Sequence, residues 1–354
     1  MKTLRTAALV AVLVAEALLL PCARAQGLPA KEGSEIQVFV ENDVWARTDR
    51  YYTSGLKVGV GVPANTLTEA FKEPTRWLLD RFNIDRDFQF KQGEEPHFGV
   101  FLGQNLYTPK QISTAAPQPL DRPWAGWLYL GVVAQREKGN RLDSAEIDIG
   151  MIGPAAAGEF TQTEWHKLIG SPKPLGWDNQ IRNEPAFVAT YLQKRRYDRD
   201  NSVLVPRNVE FIPHGGASVG TLMTLARAGG IIRFGRNMTG FGPDTIEPGG
   251  AMLQNTRRAG AGSDEKREQF EWYAYLGVDH RLVVHNAFLD GTLFRNSPSV
   301  DRRMHVSDVS RGVSVRYKWA RLSFTRVRRS EEFLTPQGGG GRQNFDSLNI
   351  GLEF

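Results

Sequence analysis

Apolar and polar residues alternate with a period of two over much of the chain. Ile36, Val38 and Val40 alternate with Gln37, Phe39 and Glu41, and Leu56, Val58, Val60 and Val62 with Lys57, Gly59 and Gly61. Phe98, Val100 and Leu102 alternate with Gly99, Phe101 and Gly103, and Ala145, Ile147, Ile149 and Met151 with Glu146, Asp148 and Gly150. Successive side chains of a strand point to opposite faces, so each run predicts a strand with one apolar face and one polar or glycine face. Further strands are predicted over 124–134, 185–194, 203–220, 221–234, 270–279, 281–289, 311–326 and 346–354. The pairs 203–220/221–234 and 270–279/281–289 read as hairpins, the second almost without a loop, and 311–326 as one long or bent strand. About twelve strands result. Several extend to about ten residues, the length with which a tilted strand crosses a bilayer.

The alternation alone suits two folds. A soluble sandwich turns its apolar faces inward, whereas a membrane barrel turns them to lipid and keeps a polar lumen. The first 25 residues favour the barrel by marking the chain for export. Lys2 and Arg5 precede a mostly apolar stretch over 7–20, and Ala23-Arg24-Ala25 is a small-x-small cleavage signal. The chain also ends on an apolar strand in which Leu348, Ile350, Leu352 and Phe354 share a face. The expected fold is all-β: an antiparallel transmembrane β-barrel of about 12 strands, residues 26–354, in one domain. Three stretches interrupt the strands. Residues 66–82 read as a broken helix with Pro74 inside it. Residues 157–169 predict a helix with Phe160, Trp165 and Ile169 on roughly one side. Residues 240–268, rich in Gly, Pro and charge, predict a long mobile loop.

Lys2, Arg5 and Arg24 leave with the leader, so the formal charge of +5 overstates the basicity of the exported chain and nucleic-acid binding gains no support. Cys22 is the single cysteine, which excludes disulfides and thiolate chemistry from the exported chain. No two of the six histidines show convincing zinc-ligand spacing, and no phosphate-binding loop or dinucleotide fingerprint occurs.

The chemistry concentrates where the first strand ends and the second begins, in Glu41-Asn42-Asp43 and Tyr51-Tyr52-Thr53-Ser54-Gly55. Strand parity turns Asp43 and Thr53 toward the lumen and gives Asn42 the opposite parity unless the strand end bulges. A carboxylate with a threonine oxygen suits Ca²⁺; a solvated polar turn is the plainer alternative. His166 lies on the predicted helix, with Gln162 one turn earlier on the same face and placed to orient the imidazole. An incidental histidine on a surface helix is the alternative. Arg122, in Asp121-Arg122-Pro123-Trp124, is either a phosphate clamp or the charged anchor of an aromatic girdle.

Taken together in order and spacing, these motifs resemble the outer-membrane lipid A 3′-O-deacylase family. The resemblance runs from Ile36 to about Tyr191. It includes Gly103-Gln104-Asn105-Leu106-Tyr107-Thr108-Pro109, Gly150-Met151-Ile152-Gly153-Pro154, His166-Lys167-Leu168-Ile169-Gly170 and Gly176-Trp177-Asp178-Asn179-Gln180. It implies a twelve-stranded barrel with a short helix and the site near the outer rim. It also implies Ca²⁺-dependent removal of the 3′-acyloxyacyl group of lipid A, with lipopolysaccharide and outer-membrane lipids as partners and a monomeric chain. Carried over, His166 is the general base, Asp43 and Thr53 help hold Ca²⁺, and Asn42 orients or polarises a partner; Arg122 is a further candidate contact to a substrate phosphate. Two departures stand out. The family pattern has an acidic metal ligand about six positions after the histidine, where this chain has Ser171-Pro172-Lys173, leaving Asp178 or Glu184 as substitutes. Basic residues expected shortly after Tyr107-Thr108-Pro109 are also thin. A non-enzymatic pore or anchor, or an outer-membrane phospholipase, is the competing reading.

Overall fold

The polar and apolar faces close on themselves. In the computed structural model, described for residues 33–43, 50–63, 96–247, 249, 253, 269–335 and 341–353, twelve antiparallel strands form one closed barrel. They are β1 (Glu35–Asn42), β2 (Tyr51–Pro63), β3 (His97–Thr108), β4 (Ala125–Lys138), β5 (Arg141–Ile152), β6 (Glu184–Arg195), β7 (Val209–Gly220), β8 (Met223–Arg236), β9 (Phe270–Asn286), β10 (His305–Tyr317), β11 (Ala320–Arg329) and β12 (Gln343–Glu353). Helix α1 (Gly158–Ile169) lies between β5 and β6, and the single-turn α2 (Ala287–Asp290) follows β9. Each strand pairs with its neighbour in sequence, and β1 closes the ring on β12 from Glu35↔Glu353 to Asn42↔Asp346.

Which face is wet settles sandwich against barrel. Val58, Val60, Val100, Leu102, Leu130, Ile149, Leu276, Val278 and Leu322 are exposed, while Lys57, Glu146, Asp148, Asp279, Arg281, Arg316 and Arg321 on the other parity are buried. An apolar outside around a charged inside is the arrangement of a transmembrane barrel. The interior is crowded, and inward glycines make it possible: a Cβ on Gly103 would lie 2.2 Å from Tyr129 Cζ, and one on Gly131 2.2 Å from Phe101.

Part of the 240–268 stretch is not the mobile loop its composition suggests. The segment after β8 folds back into the lumen, burying Phe241, Ile246, Glu247 and Leu253. The backbone N–H of Ile246 donates to Glu41 Oε1 at 2.8 Å, and Tyr107 Oη donates to Glu247 Oε2 at 3.1 Å. Arg233 donates to the carbonyls of Gly240 and Gly242, and Lys194 pairs with Asp244. Arg233 also pairs with Glu210 on β7, whereas the buried charge of Lys194 takes its carboxylate partner from this segment. A plug at this place argues against the pore reading.

Two strand assignments differ from the sequence expectation. Residues 270–286 form one strand, because the alternation continues through Asp279-His280-Arg281 without a change of phase: Asp279 and Arg281 point inward and meet Arg227 and Asp308. Residues 311–326 are instead split between β10 and β11, turning at Lys318-Trp319, with Lys318 at φ 53°. The two errors cancel in the strand count. The export signal, the stretch 66–82 and Phe354 lie outside the described residues.

Candidate active site on the outer wall

Helix α1 meets the barrel with the face that carries Gln162 and His166, not with the side of Phe160. Gly158, Gln162 and His166, spaced by four, are buried, whereas Phe160 and Leu168 are exposed. An apolar face turned away from the protein is costly in water and suited to lipid. Gly158 permits the approach: a Cβ there would lie 2.6 Å from Trp177 Cη2. Trp177 Nε1 donates to Gln162 Oε1 at 2.8 Å, and the ring sits 5.0 Å from that of Trp124. Gln104 Nε2 donates to the carbonyl of Ala156 at 2.7 Å, tying β3 to the turn before the helix.

Between α1 and the outer face of β1–β3 runs a groove of about 520 Å³. Val38, Val40, Leu56, Val58 and Leu106 form its wall, and Phe160, Trp165 and Leu168 its helical side. At one end Asn42, Thr53 and Ser54 sit together where β1 meets β2, and Gln104, Gln162 and His166 add to the polar lining. An apolar trough with a polar end is the form of a site that holds a chain and acts on its head.

Three residues picked from the sequence thus meet, though not in the lumen. Asn42 needs no bulge: its parity is that of Val38 and Val40, toward the outside, and this is where the groove lies. Thr53 is the displaced residue. Tyr52 pairs with Tyr107 and Ser54 with Leu106, leaving Thr53 as the extra residue of a bulge. The bulge turns Tyr52 inward, where its hydroxyl donates to Glu41 Oε2 at 2.8 Å, and brings Thr53 to the groove, its Oγ1 2.7 Å from Thr108 Oγ1.

His166 is oriented by a backbone carbonyl, not by Gln162. Its Nδ1 lies 2.6 Å from the oxygen of Pro172. A carbonyl only accepts, so Nδ1 carries the proton and Nε2 is the basic nitrogen. The loop after the helix is fixed for this by Gly170, at φ 70°, and by Ser171 N donating to the carbonyl of His166 at 2.9 Å. Neither expected carboxylate substitutes near Pro172. Glu184 accepts the backbone N–H groups of Leu293 and Phe294, both at 3.0 Å, and Asp178 is exposed on its turn.

Asp43 is buried and not among the groove-lining residues; its Oδ2 accepts the N–H of Arg50 at 2.7 Å, and its own N–H donates to the carbonyl of Thr53 at 3.3 Å. Among the described residues no group of three or more His, Cys, Asp or Glu side chains is arranged to hold a metal. The donors beside the site are the Asp43 carboxylate and neutral oxygens, with Glu164 of the groove lining paired to Lys167, a set that fits a weakly held hard cation and not a soft one. Arg122 is neither at the groove nor at a membrane interface. It is fully buried, donates to Glu332 Oε2 at 2.7 Å and stacks 4.6 Å from the Tyr107 ring. Gly216-Ala217-Ser218-Val219-Gly220 has the spacing of a nucleophile elbow. It lies inside β7 with no strand-to-helix turn, and Ser218 Oγ is 2.8 Å from Thr190 Oγ1.

Among solved structures, LpxR from Salmonella typhimurium is similar in fold, with a TM-score of 0.66 and 21% identity over 90% of this chain and 100% of that one. The β domain of the Bordetella autotransporter Brka matches more weakly, with a TM-score of 0.42 and 12% identity over 91% of this chain and 98% of that one. No curated protein gives a significant match. The family described as outer membrane protein LpxR matches residues 8–354, which bears out the resemblance carried by the sequence motifs. The chain belongs to the outer membrane protein LpxR family.

Proposed function

We propose that this protein hydrolyses the ester that joins the 3′-acyloxyacyl group to lipid A, in the outer membrane and with calcium bound. The observation that carries the reading is the tautomer of His166: Nδ1 is committed to Pro172, so Nε2 is left as a base at the polar end of an apolar groove. Nε2 takes a proton from water as the oxygen attacks the ester carbonyl, and returns it to the departing sugar oxygen when the tetrahedral intermediate collapses. The products are the free fatty acid and a sugar hydroxyl, and no covalent enzyme intermediate is needed. Asn42 orients or polarises a partner in this step. Asp43 and Thr53 would hold the calcium, which when bound supplies Lewis-acid polarisation of the carbonyl oxygen. The groove opens on the lipid-facing wall, so an acyl chain reaches it from the bilayer without passing through water. The test is mass spectrometry of lipid A from cells expressing the wild type or His166→Ala. Loss of trimming with a folded barrel is expected. Wild-type trimming by the variant, or loss of acyl chains from phospholipids in place of lipid A, would sink the assignment.

A further inference from the structure

The rung of the barrel that carries Asn42 continues into a cluster of charge on the lipid-facing wall. Asn42 pairs with Ser54 on one side and with Asp346 on the other; Asp346 pairs with Arg326, and Arg326 with Arg311. All five share the outward parity. On the next rung toward the barrel's terminal end, Val313, Phe324, Leu348, Val40 and Leu56 are all apolar. On the other side Arg328 lies opposite Val309 and Asn344, and it too is exposed.

Three arginines on a lipid-facing wall ask for a reason. Arginine in contact with hydrocarbon is costly, and the cost falls only toward the interface. Arg311 directly faces Arg326, a like-charge cross-strand pair that is unfavourable by itself. One of the three is accounted for: Arg326 donates to both carboxylate oxygens of the buried Asp346, each at 2.7 Å. Arg311 and Arg328 have no hydrogen bond or ion pair to any described residue and are exposed on either side of this clamp. The arrangement is an anchored, net positive, forked donor set without an anion, and guanidinium forks match phosphate.

We infer that Arg311 and Arg328, braced by the Arg326–Asp346 pair, bind the phosphate of an anionic glycolipid headgroup on the outer wall. The inference rests on the acyl-chain reading of the groove in one respect: the phosphate belongs to the same lipid whose chain lies there. Adjacent strands are about 4.8 Å apart, so Arg326 and Arg311 stand about 10 and 14 Å along the rung from Asn42. That is the scale of a headgroup reaching sideways from a chain held in the groove.

The test uses the full barrel in detergent and Arg311→Gln/Arg328→Gln, which alters exposed positions only and leaves the clamp intact. Retention of lipid A, and of lipid A stripped of its phosphates, is read by native mass spectrometry on His166→Ala protein with and without the two arginine changes. Steady-state kinetics on both lipids are run with His166 intact. Loss of two charge-assisted contacts predicts at least tenfold weaker retention and a correspondingly higher KM for the phosphorylated lipid. The dephosphorylated lipid is unaffected, and kcat is unchanged. Equal retention of both lipids by the parent, or undiminished retention by the arginine variant, overturns the site. So does inorganic phosphate retained in place of lipid, which would make it an ion site only. If arginine-dependent retention occurs but no lipid is deacylated, the phosphate site stands and the proposed activity fails; normal deacylation that ignores the arginines has the opposite meaning.

Discussion

The contact that seats α1 on the barrel gives the sharpest prediction about catalysis, because it can be perturbed without touching a reacting group. A Cβ on Gly158 would lie 2.6 Å from Trp177 Cη2, 2.9 Å from Cζ3 and 3.0 Å from Leu106 Cδ2. Carbon atoms in good contact are about 3.5–4.0 Å apart, so Gly158→Ala forces a separation of about 1 Å. Trp177 cannot supply it cheaply. Its Nε1 is bonded to Gln162 and its ring lies against Trp124, which is itself seated on Gly176, where a Cβ would be 2.6 Å from Trp124 Nε1. The helix has the exposed apolar side and gives way, carrying His166 with it. Overpacking of this kind costs about 1–3 kcal/mol of stability, which a closed barrel tolerates. A misplacement of about 1 Å at a catalytic group costs on the order of 10²-fold in rate. Initial rates of acyl release from lipid A in mixed micelles, followed by mass spectrometry, should fall by about that factor while urea unfolding stays cooperative. Trp177→Phe in the same chain removes Cη2 and Cζ3, and the double variant should recover about tenfold of the loss. A single variant within twofold of wild type, or a double variant no faster than the single one, would refute the account.

Other expectations concern the lumen and the cation. Chelation by EGTA should abolish acyl release and added calcium restore it; Asp43→Asn should raise the calcium concentration needed by at least tenfold, and unchanged calcium dependence would remove Asp43 from the cation site. Deleting residues 240–249 should convert a silent protein into an ion-conducting one in planar bilayers, since Arg233, Lys194 and Glu41 lose the partners that now fill the lumen; silence of the deletion variant would show that the segment is not the plug. Glu332, in the loop after β11, is pushed up by burial, but Arg122, Arg329 and Arg281 outweigh this and hold it at about 2. A lowered carboxyl contributes stability above its unfolded value of 4.5, and that contribution, on the order of 3 kcal/mol at most, is lost as pH falls toward 2. The drop in urea midpoint between pH 7 and pH 3 should therefore be smaller in Glu332→Gln than in wild type; equal drops would contradict it.

The barrel was legible because a half-wet strand writes its two faces into alternate residues, and twelve such segments are present. What alternation cannot mark is where a strand turns. Arg316-Tyr317-Lys318-Trp319-Ala320 carries neither Gly nor Pro, and its turn rests on Lys318 adopting a positive φ that nothing in composition announces. The opposite error is the hairpin expected at Asp279-His280-Arg281, where one strand runs through. In a barrel with a charged lumen, inward Asp and Arg are ordinary strand residues. The plug hid because a Gly-, Pro- and charge-rich segment looks like a loop in water until the partners of Lys194 and Arg233 are known.

The site was half legible, and the missing half follows from one choice of direction. His166, Asn42 and Thr53 were picked as residues, but parity was read as though chemistry must face the lumen, which made Asn42 the anomaly. Once the groove is on the lipid side, Asn42 needs no special geometry and Thr53 does, through the bulge between Tyr52 and Ser54. The same reversal explains the helix, whose Gly158, Gln162 and His166 turn to the barrel while Phe160 faces out. It also explains why Pro172 matters: its carbonyl sets the imidazole proton, and backbone groups leave no trace in a list of side chains. A substrate that lives in the bilayer can be met only at the outer wall, so a polar row on that wall is the feature to seek. Asn42 and Thr53 form one end of such a row, and Arg326 and Arg311 the other.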